Sequence, residues 1–241
     1  MKLVIKNLTK KYDDKLVLDE VNYEFKEGVI TSVLGRNGAG KTTLFNVLYD
    51  EIDFDSGEFY LENEGSTEKL QEGSTEKLQK EDIGMLFSEN FLPEFLTGYE
   101  YIKFYRDINS PNDIKTVEDY MEMMEFSKKD QNRLIKDYSH GMKSKISLIT
   151  LFISRPKVLL LDEPLTSLDV VISTQIKKLL MELKSQGRII VLSTHMLDLA
   201  KQMSEEIVLL HHKKLQKLDL DKNDDKFDAD LYDILKDETD E

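Results

Sequence analysis

Apolar and polar residues alternate in short stretches near the start of the chain and then give way to longer apolar runs. Residues 3–8 and 17–25 read as alternating strands, the second with Val21, Tyr23 and Phe25 on one face. Nearly continuous apolar runs indicate parallel strands that are covered on both faces. Such runs occur at 29–34, 83–87, 158–161, 189–192 and 207–210, and an edge strand is expected at 57–61. The pattern predicts an α/β fold.

The segment between the runs at 83–87 and 158–161 has a different character, because it carries helical periodicity and many aromatic side chains. Six of the chain's 21 aromatic residues fall within residues 91–105, namely Phe91, Phe95, Tyr99, Tyr101, Phe104 and Tyr105. We expect residues 88–154 to form an α-helical subdomain inserted in the α/β core, with most of these aromatics buried in it. Any that stay exposed would form an apolar groove for a helix of a partner.

The stretch that links the apolar run at 29–34 to a helical pattern at 43–48 matches the phosphate-loop motif. It reads Gly35-Arg36-Asn37-Gly38-Ala39-Gly40-Lys41-Thr42, and Thr43 opens the helix behind it. The glycines let backbone N–H groups point at phosphate oxygens, Lys41 supplies a positive charge, and the Thr42 hydroxyl can bind Mg²⁺. The phosphates would lie at a helix N-terminus, so the stretch predicts a nucleotide site.

Two carboxylates, Asp162 and Glu163, follow the apolar run at 158–161, at the sheet edge where α/β folds bind ligands. Asp162 can hold Mg²⁺ directly or through water, and Glu163 can accept a proton from an attacking water. His195 follows the run at 189–192. A lone histidine at a strand end is often only a satisfied polar residue, but beside Lys41 and Glu163 a contact with the γ-phosphate is the better interpretation.

Ser139 and Tyr12 each leave two interpretations open. Ser139 is placed to cap a helix that runs to about residue 153, and the same geometry presents a hydroxyl and free N–H groups to an anion. Tyr12 lies between the first two predicted strands, where its ring could stack on a purine or cap the small sheet.

Charge and composition exclude several classes of protein. The chain has a net charge of -14 and no Cys, so we expect no nucleic-acid partner and no disulfide or thiol chemistry. The longest apolar stretch, around 146–153, is much shorter than the roughly 20 residues of a spanning helix. We therefore expect a soluble protein that meets a membrane only through a partner.

Two further segments are expected to lie at the surface. Residues 219–241 hold 11 Asp or Glu against 3 Lys, and we expect a solvated tail or a frayed helix, with Leu231, Ile234 and Leu235 as a candidate docking stripe. Residues 64–71 recur unchanged as residues 72–79. Two copies are too few for a solenoid, so the repeat reads as a duplication in a tolerant surface loop.

Taken in order, the phosphate loop, residues 138–142, the pair Asp162-Glu163, residues 167–169 and His195 resemble the ATP-binding subunit of an ABC transporter, over residues 1 to about 215. The resemblance implies a P-loop NTPase core with a mostly parallel sheet and an N-terminal antiparallel β subdomain. It places this core at 1–87 and 155–218, an inserted α-helical signature subdomain at 88–154, and an acidic tail at 219–241.

The resemblance also implies cofactors, partners and a location. ATP and Mg²⁺ would be bound in a head-to-tail homodimer or heterodimer, each ATP clamped between the phosphate loop of one subunit and the signature helix of the other. A separate multi-spanning membrane permease would hold the protein at the cytoplasmic face of the cell membrane. The sequence Ser-His-Gly-Met at 139–142 resembles variants in bacterial exporter ATPases, which implies export.

Site residues carry over from the family position by position. Residues 35–43 would bind the ATP phosphates and Tyr12 the adenine, while Thr42 and Asp162 would hold Mg²⁺. The remaining matches are Glu163 as general base, His195 at the γ-phosphate, Asp169 in the loop that signals across the dimer, and Ser139 with Gly141 at the partner's γ-phosphate.

The sequence departs from the family pattern at two places. His140 stands where the signature usually has a first glycine, which is tolerable if its side chain points outward. After the strand at 83–87 the family places a Gln that contacts Mg²⁺ and relays the nucleotide state to the membrane subunit. Here Ser88 and Glu89 stand in its place, and either could take the metal role through a water.

Two alternatives to a transport ATPase remain at this stage. The chain could be a soluble ABC-type ATPase that remodels a cytosolic assembly. It could also be a regulatory module that holds ATP without hydrolysing it, because the usual Gln is missing.

Overall fold

The computed structural model describes residues 1–63, 80–89, 91–110, 113–166, 168, 170–218, 227, 229 and 231. Within them the strands are β1 (Lys2–Tyr12), β2 (Lys15–Lys26), β3 (Ile30–Leu34), β4 (Ser56–Glu62), β5 (Ile83–Leu86), β6 (Val158–Asp162), β7 (Ile189–Thr194), β8 (Glu206–His211) and β9 (Lys214–Lys217). The helices are α1 (Lys41–Leu48), α2 (Gly98–Asn109), α3 (Val117–Met123), α4 (Lys128–Gln131), α5 (His140–Ser154), α6 (Val170–Ser185) and α7 (Leu197–Met203). Short 3₁₀ turns lie at Lys80–Asp82 and Ile135–Asp137.

The strands form two sheets, as the α/β prediction requires. A three-stranded antiparallel sheet has the order β2-β1-β4, and a six-stranded sheet has the order β5-β6-β7-β3-β8-β9. All neighbours in the larger sheet are parallel except β8 and β9. The carboxyl ends of β3, β6 and β7 therefore meet at one edge, where register pairs Leu34 with Thr194 and Asp162 with Ser193.

Both faces of the larger sheet are covered, which explains its continuous apolar runs. Along β6, Leu159 and Leu161 face a cluster formed with the helices, while Val158 and Leu160 face a cluster formed with α1 and the antiparallel sheet. Alternate residues of a strand point to opposite faces, so a strand buried on both sides has no polar face. All of β6 is buried.

The helical segment begins its helices with side-chain caps. Thr97 forms a capping box with Glu100 at the start of α2, and Thr116 does so with Asp119 at α3. Satisfying these free N–H groups fixes where each helix begins. Residues 88–154 contain α2 to α5, and division of the chain at 87 and 155 stays a prediction.

The aromatic side chains of the helical segment divide into two groups. Tyr99, Tyr101 and Tyr105 pack against the helical core. The three phenylalanines at 91, 95 and 104 are 76%, 78% and 60% exposed. The expectation that most of the six are core is therefore met by only half of them, and the exposed half is larger than expected.

The strand β9 was missing from the sequence prediction. It pairs with β8 through a two-residue turn at His212 and Lys213, whose φ angles are 45° and 64°. Hairpin turns with two positive φ angles usually contain Asn or Gly, and here a histidine and a lysine take their place. The strand itself is mostly polar, since only Leu215 of Lys214–Lys217 is buried.

Of the two alternatives expected for the acidic tail, the described residues agree with the helix that docks through Leu231. Phe227 and Leu231 are each 1% exposed and pack with Leu34, Ala200 and Leu209. These two apolar residues cover a patch between α7 and the sheet, and sequence reasoning had passed over Phe227. Ile234, Leu235 and the repeat at 64–79 lie outside the described residues.

The longest helix of the described residues, α6, has 16 residues. None of their helices combines the length and the apolar character that a bilayer-spanning helix needs.

We predict that Phe227→Ala lowers the free energy of unfolding by about 3 to 5 kcal/mol, because it leaves a cavity under α7. Chemical denaturation of the full chain measures the change. Phe95→Ala is the control, since Phe95 is 78% exposed, and its effect should stay within about 0.5 kcal/mol. Equal effects of the two substitutions would contradict the packing described here.

Candidate functional site

The phosphate loop, residues 35–42, connects the end of β3 to the start of α1. Gly38 and Gly40 have φ angles of 85° and 106°, in the left-handed region that favours glycine. A Cβ atom at Gly40 would lie 2.9 Å from Val17 Cγ1 on β2. The loop therefore takes its shape from glycine at these positions, and its N–H groups lie at the N-terminus of α1.

Lys41 is buried within its own loop. Its Nζ donates hydrogen bonds to the carbonyl oxygens of Gly35, at 2.8 Å, and Arg36, at 3.1 Å. Burial lowers the pKa of the Lys41 ammonium, while the nearby carboxylates of Glu163 and Asp162 act in the opposite direction. A poorly hydrated ammonium held at the N-terminus of a helix is suited to bind a phosphate.

Thr42 and Asp162 bring two oxygen ligands together across the sheet edge. The Thr42 hydroxyl donates to Asp162 Oδ2 at 2.9 Å, and Asp162 is only 2% exposed. The other carboxylate oxygen, Oδ1, accepts a hydrogen bond from the Ser193 hydroxyl at the end of β7. Asp162 is thus held from both sides, by the loop and by the neighbouring strand.

Glu163 is the next residue and turns away from the strand with φ of 49°. Its Oε1 lies 2.8 Å from His195 Nδ1, and its Oε2 accepts a hydrogen bond from the Thr166 hydroxyl at 2.8 Å. The carboxylate is therefore held at both oxygens while it lines a cleft, an arrangement suited to a fixed proton acceptor. Sequence reasoning placed Glu163 and His195 near each other but missed Thr166.

The side chains of Lys41, Thr42, Asp162 and Glu163 line one cleft of about 390 Å³, which we call the nucleotide cleft. It is lined by Tyr12, Lys15, Val17, Asn37, Gly38, Gly40, Lys41, Thr42, Thr43, Ser88, Asp162 and Glu163. Tyr12, at the end of β1, is 45% exposed and offers an aromatic wall. Arg36 and Ala39 line an adjoining cleft together with Asn37 and Gly38, so the phosphate loop separates two openings.

The predicted signature residues do not line the nucleotide cleft of this chain. Ser139 caps α5, and its hydroxyl oxygen accepts a hydrogen bond from the Met142 N–H at 3.2 Å. Gly141 lies against α6, where a Cβ atom would come within 2.4 Å of Ile172 Cδ1. His140 is exposed, as its departure from the family pattern requires. Asp169 lies outside the described residues.

Ser88 and Glu89, which stand where the family has Gln, face different openings. Ser88 lines the nucleotide cleft, whereas Glu89 lines a groove on the other side of the connection after β5. Of the two candidates for the metal role, the geometry favours Ser88, and this assignment stays a prediction.

The oxygen atoms of Thr42 and Asp162 fit a Mg²⁺ ion better than a transition metal. Mg²⁺ prefers oxygen ligands and is commonly held by one or two protein groups together with phosphates and water. Among the residues that the structure describes, three or more His, Cys, Asp or Glu side chains do not cluster into a metal site. The donor set therefore suits an ion that arrives with a nucleotide.

The chain is similar in sequence to ATP-binding proteins of ABC transporters. The family model for the ABC transporter matches residues 18–166, more than half of the chain. The chain is 31% identical over 216 residues to an uncharacterized ABC transporter ATP-binding protein of Methanocaldococcus jannaschii, covering 88% of this chain and 75% of that protein. It is 32% identical over 220 residues to a protein of Chlorella vulgaris named "Probable sulfate/thiosulfate import ATP-binding protein", covering 89% of each.

Solved structures share the fold at lower sequence identity. The ATP-binding subunit of an ABC transporter superimposes with a TM-score of 0.76 at 21% identity, over 98% of this chain and all of that one. A dimeric ATP-binding cassette in a post-hydrolysis state, bound to ADP and Pi, gives 0.74 at 23% identity, over 90% and 97% of the two chains. These likenesses confirm the predicted mixture of an antiparallel and a largely parallel sheet.

We predict that Lys41→Met abolishes the rise in melting temperature that ATP with Mg²⁺ produces, without lowering the melting temperature of the free protein. A ligand at 100 times its Kd stabilises a protein by about 2.7 kcal/mol, and the variant should lose this gain. The free protein should keep its stability because the substitution removes a buried charge. Thermal melts with and without nucleotide test this.

Lys145→Met is the matched control for this experiment. Lys145 is also buried, but its Nζ donates to the Met124 carbonyl oxygen in the helical segment, so this variant should keep the ATP response.

The lowered pKa of Lys41 also predicts how stability changes with pH. Because that pKa lies below 10.5 in the folded state, the unfolded state binds more protons between the folded-state pKa and 10.5. The wild type should therefore gain stability relative to Lys41→Met as the pH rises through that window, and the opposite trend would contradict the burial of the charge.

Proposed function

The chain belongs to the ABC transporter family as an ATP-binding subunit that hydrolyses ATP, and we propose that it powers a separate membrane permease in the direction of export. The observation that carries the proposal is the nucleotide cleft. One edge of the sheet holds a phosphate loop, two adjacent carboxylates and a histidine within hydrogen-bonding distance of one another.

Each cleft residue has a chemical role in this proposal. Lys41 and the loop N–H groups bind the phosphates, and Tyr12 stacks on the adenine. Glu163 accepts the proton of the attacking water, held in place by hydrogen bonds at both carboxylate oxygens. His195, which contacts Glu163 through Nδ1, has its second ring nitrogen available to contact the γ-phosphate.

Thr42 and Asp162 are the residues that would hold Mg²⁺, with Ser88 as the third candidate. When bound, the ion supplies positive charge to the β- and γ-phosphates and lowers the barrier to phosphoryl transfer. Asp162 is oriented for this role by the Thr42 and Ser193 hydroxyls before any ligand is present.

We further propose a head-to-tail dimer, in which Ser139 and Gly141 of one subunit complete the cleft of the other. The position of Ser139 supports this, because the Ser139 hydroxyl already accepts from Met142 and its own proton is left to donate to a phosphate. It lies at the N-terminus of α5, a 15-residue helix whose dipole favours an anion. Asp169 would signal between the two sites.

The membrane partner would dock in a second cleft, which we call the aromatic groove. This groove of about 450 Å³ lies between β5 and the helices α2 and α5, and its apolar lining includes Tyr49, Phe87, Phe91, Leu92, Tyr101 and Tyr105. Phe91 lines the groove and is 76% exposed, and such an exposed aromatic side chain suits contact with an amphipathic helix of a permease. Through this contact the protein would sit at the cytoplasmic face of the cell membrane.

The proposal of export depends on the sequence Ser-His-Gly-Met at 139–142, which resembles exporter variants. A relative of comparable identity is named for import, and its name applies to that protein. The membrane subunit would choose the substrate, since the nucleotide cleft contacts only the energy source.

We predict that Glu163→Gln lowers the ATP turnover number about 10²- to 10⁴-fold, because an amide cannot accept the proton of the attacking water. ATP binding should remain, and light scattering should show an ATP-dependent dimer that persists longer than in the wild type. Glu182→Gln, the same change at an exposed position on α6, is the control. If Glu163→Gln hydrolyses ATP at the wild-type rate, Glu163 is not the group that accepts the proton of the attacking water.

We also predict that Phe91→Asp abolishes binding of the purified protein to membrane vesicles that contain its permease, because a charge is introduced among the aromatic side chains of the groove. Turnover in detergent-free solution should stay within about twofold of the wild type, since Phe91 does not line the nucleotide cleft. Ile114→Asp, at a site 94% exposed and outside the groove, should bind normally. Retained binding by Phe91→Asp would place the docking surface elsewhere.

A further inference from the structure

A single hydroxyl group links the two carboxylate residues of the nucleotide cleft. Ser193, at the carboxyl end of β7, is 0% exposed. Its hydroxyl donates to Asp162 Oδ1, and its Oγ accepts a hydrogen bond from the Glu163 N–H at 3.1 Å. Parallel register places Ser193 opposite Asp162, so this position on β7 faces the point where β6 ends.

In these two hydrogen bonds the Ser193 hydroxyl acts once as a donor and once as an acceptor. Its one proton goes to Asp162, and a lone pair receives the Glu163 N–H. Removing the hydroxyl would leave the Glu163 N–H without the partner described here and take one donor from a carboxylate that is 2% exposed. A partly buried donor left without a partner costs free energy unless the backbone moves to find another one.

The backbone at Glu163 makes such a movement damaging to the site. Glu163 has φ of 49°, in the left-handed region that residues with a side chain seldom adopt. The hydrogen bond from Glu163 N–H to Ser193 fixes one side of this residue. On its other side the Glu163 carbonyl oxygen accepts from the Thr166 N–H at 3.2 Å. Loss of the first contact would free the backbone that aims the Glu163 carboxylate.

We infer that Ser193 is a positioning residue for ATP hydrolysis, which sets the geometry between the Mg²⁺-binding Asp162 and the proton-accepting Glu163. The inference rests on the proposed roles of those two residues. Ser193 itself faces away from solvent and acts through its neighbours. It lies two residues before His195, which directly follows β7, so β7 and the residue after it supply the contacts to the backbone and to the carboxylate of Glu163.

The first test compares Ser193→Ala with Ser32→Ala. Ser32 is the matched control, because it is a fully buried serine on the adjacent strand β3 whose hydroxyl contacts Ser204 instead of the site. For Ser193→Ala we expect turnover about 10- to 100-fold lower, and both the KM for ATP with Mg²⁺ and the half-saturating Mg²⁺ concentration raised about 10-fold. Ser32→Ala should change none of these quantities.

Calorimetry supplies a readout that does not depend on turnover. A slowly hydrolysed ATP analogue should bind Ser193→Ala as tightly as it binds the wild type when Mg²⁺ is absent, and about 10-fold more weakly than the wild type when Mg²⁺ is present. A merely structural role would weaken binding equally in both conditions. If neither the wild type nor Glu163→Gln hydrolyses ATP, the proposed function fails, while this binding experiment still tests Ser193.

A second pair of variants keeps the test valid if Ser193→Ala folds poorly. Ser193→Thr retains the hydroxyl, whereas Ser193→Val removes it at nearly the same volume, so any effect of the added bulk is shared. We expect the Mg²⁺ dependence of Ser193→Thr to be closer to the wild type than that of Ser193→Val. Equal Mg²⁺ dependence in this pair, or wild-type turnover and Mg²⁺ dependence in Ser193→Ala, would overturn the inference.

Discussion

The parallel register of β3, β6 and β7 is the constraint on which the site depends. It brings Leu34, Asp162 and Ser193 to a common edge, so the phosphate loop, the carboxylates and the histidine all begin within a few residues of it. Side chains alternate along a strand, and a slip of one residue would turn each of them to the opposite face. The register is protected because both faces of the sheet are buried in apolar clusters that a slip would disrupt.

Electrostatics at this edge differ from those of the whole chain. The protein has a net charge of -14, yet the nucleotide that the cleft would bind carries negatively charged phosphates. Lys41 supplies a local positive charge in the cleft. Its ammonium is held by loop carbonyl groups and lies near the carboxylates of Asp162 and Glu163. Binding of phosphate with Mg²⁺ brings both signs of charge together, which suits a site that already holds a cation beside Asp162 and Glu163.

The sequence predicted the parts of the fold whose signals are local. Buried strands follow from apolar runs, and the phosphate loop follows from residue spacing that few other structures share. The strand Lys214–Lys217 was not predicted from the sequence, because it is mostly polar and the turn before it lacks Asn and Gly. Phe227 was not predicted to be buried because the acidic residues around it suggested solvent, although Leu231 lies four positions after it and one helical face carries both. Thr166 and Ser193 could not be predicted, since their roles depend on a backbone turn at Glu163 that only the folded chain defines.

The connection after β5 joins the two clefts at the position where the family has Gln. Ser88 lines the nucleotide cleft and Glu89 lines the aromatic groove, so two adjacent residues face the two openings. A Gln reaches from one site toward the other with a single side chain, whereas here the link is the backbone between two short contacts. A shift of Ser88 on binding of Mg²⁺ and nucleotide would therefore move Glu89 against whatever occupies the groove. Under the roles proposed for Ser88 and the aromatic groove, coupling would depend on how rigidly this connection is held, and the buried Leu86 at the end of β5 anchors it on one side.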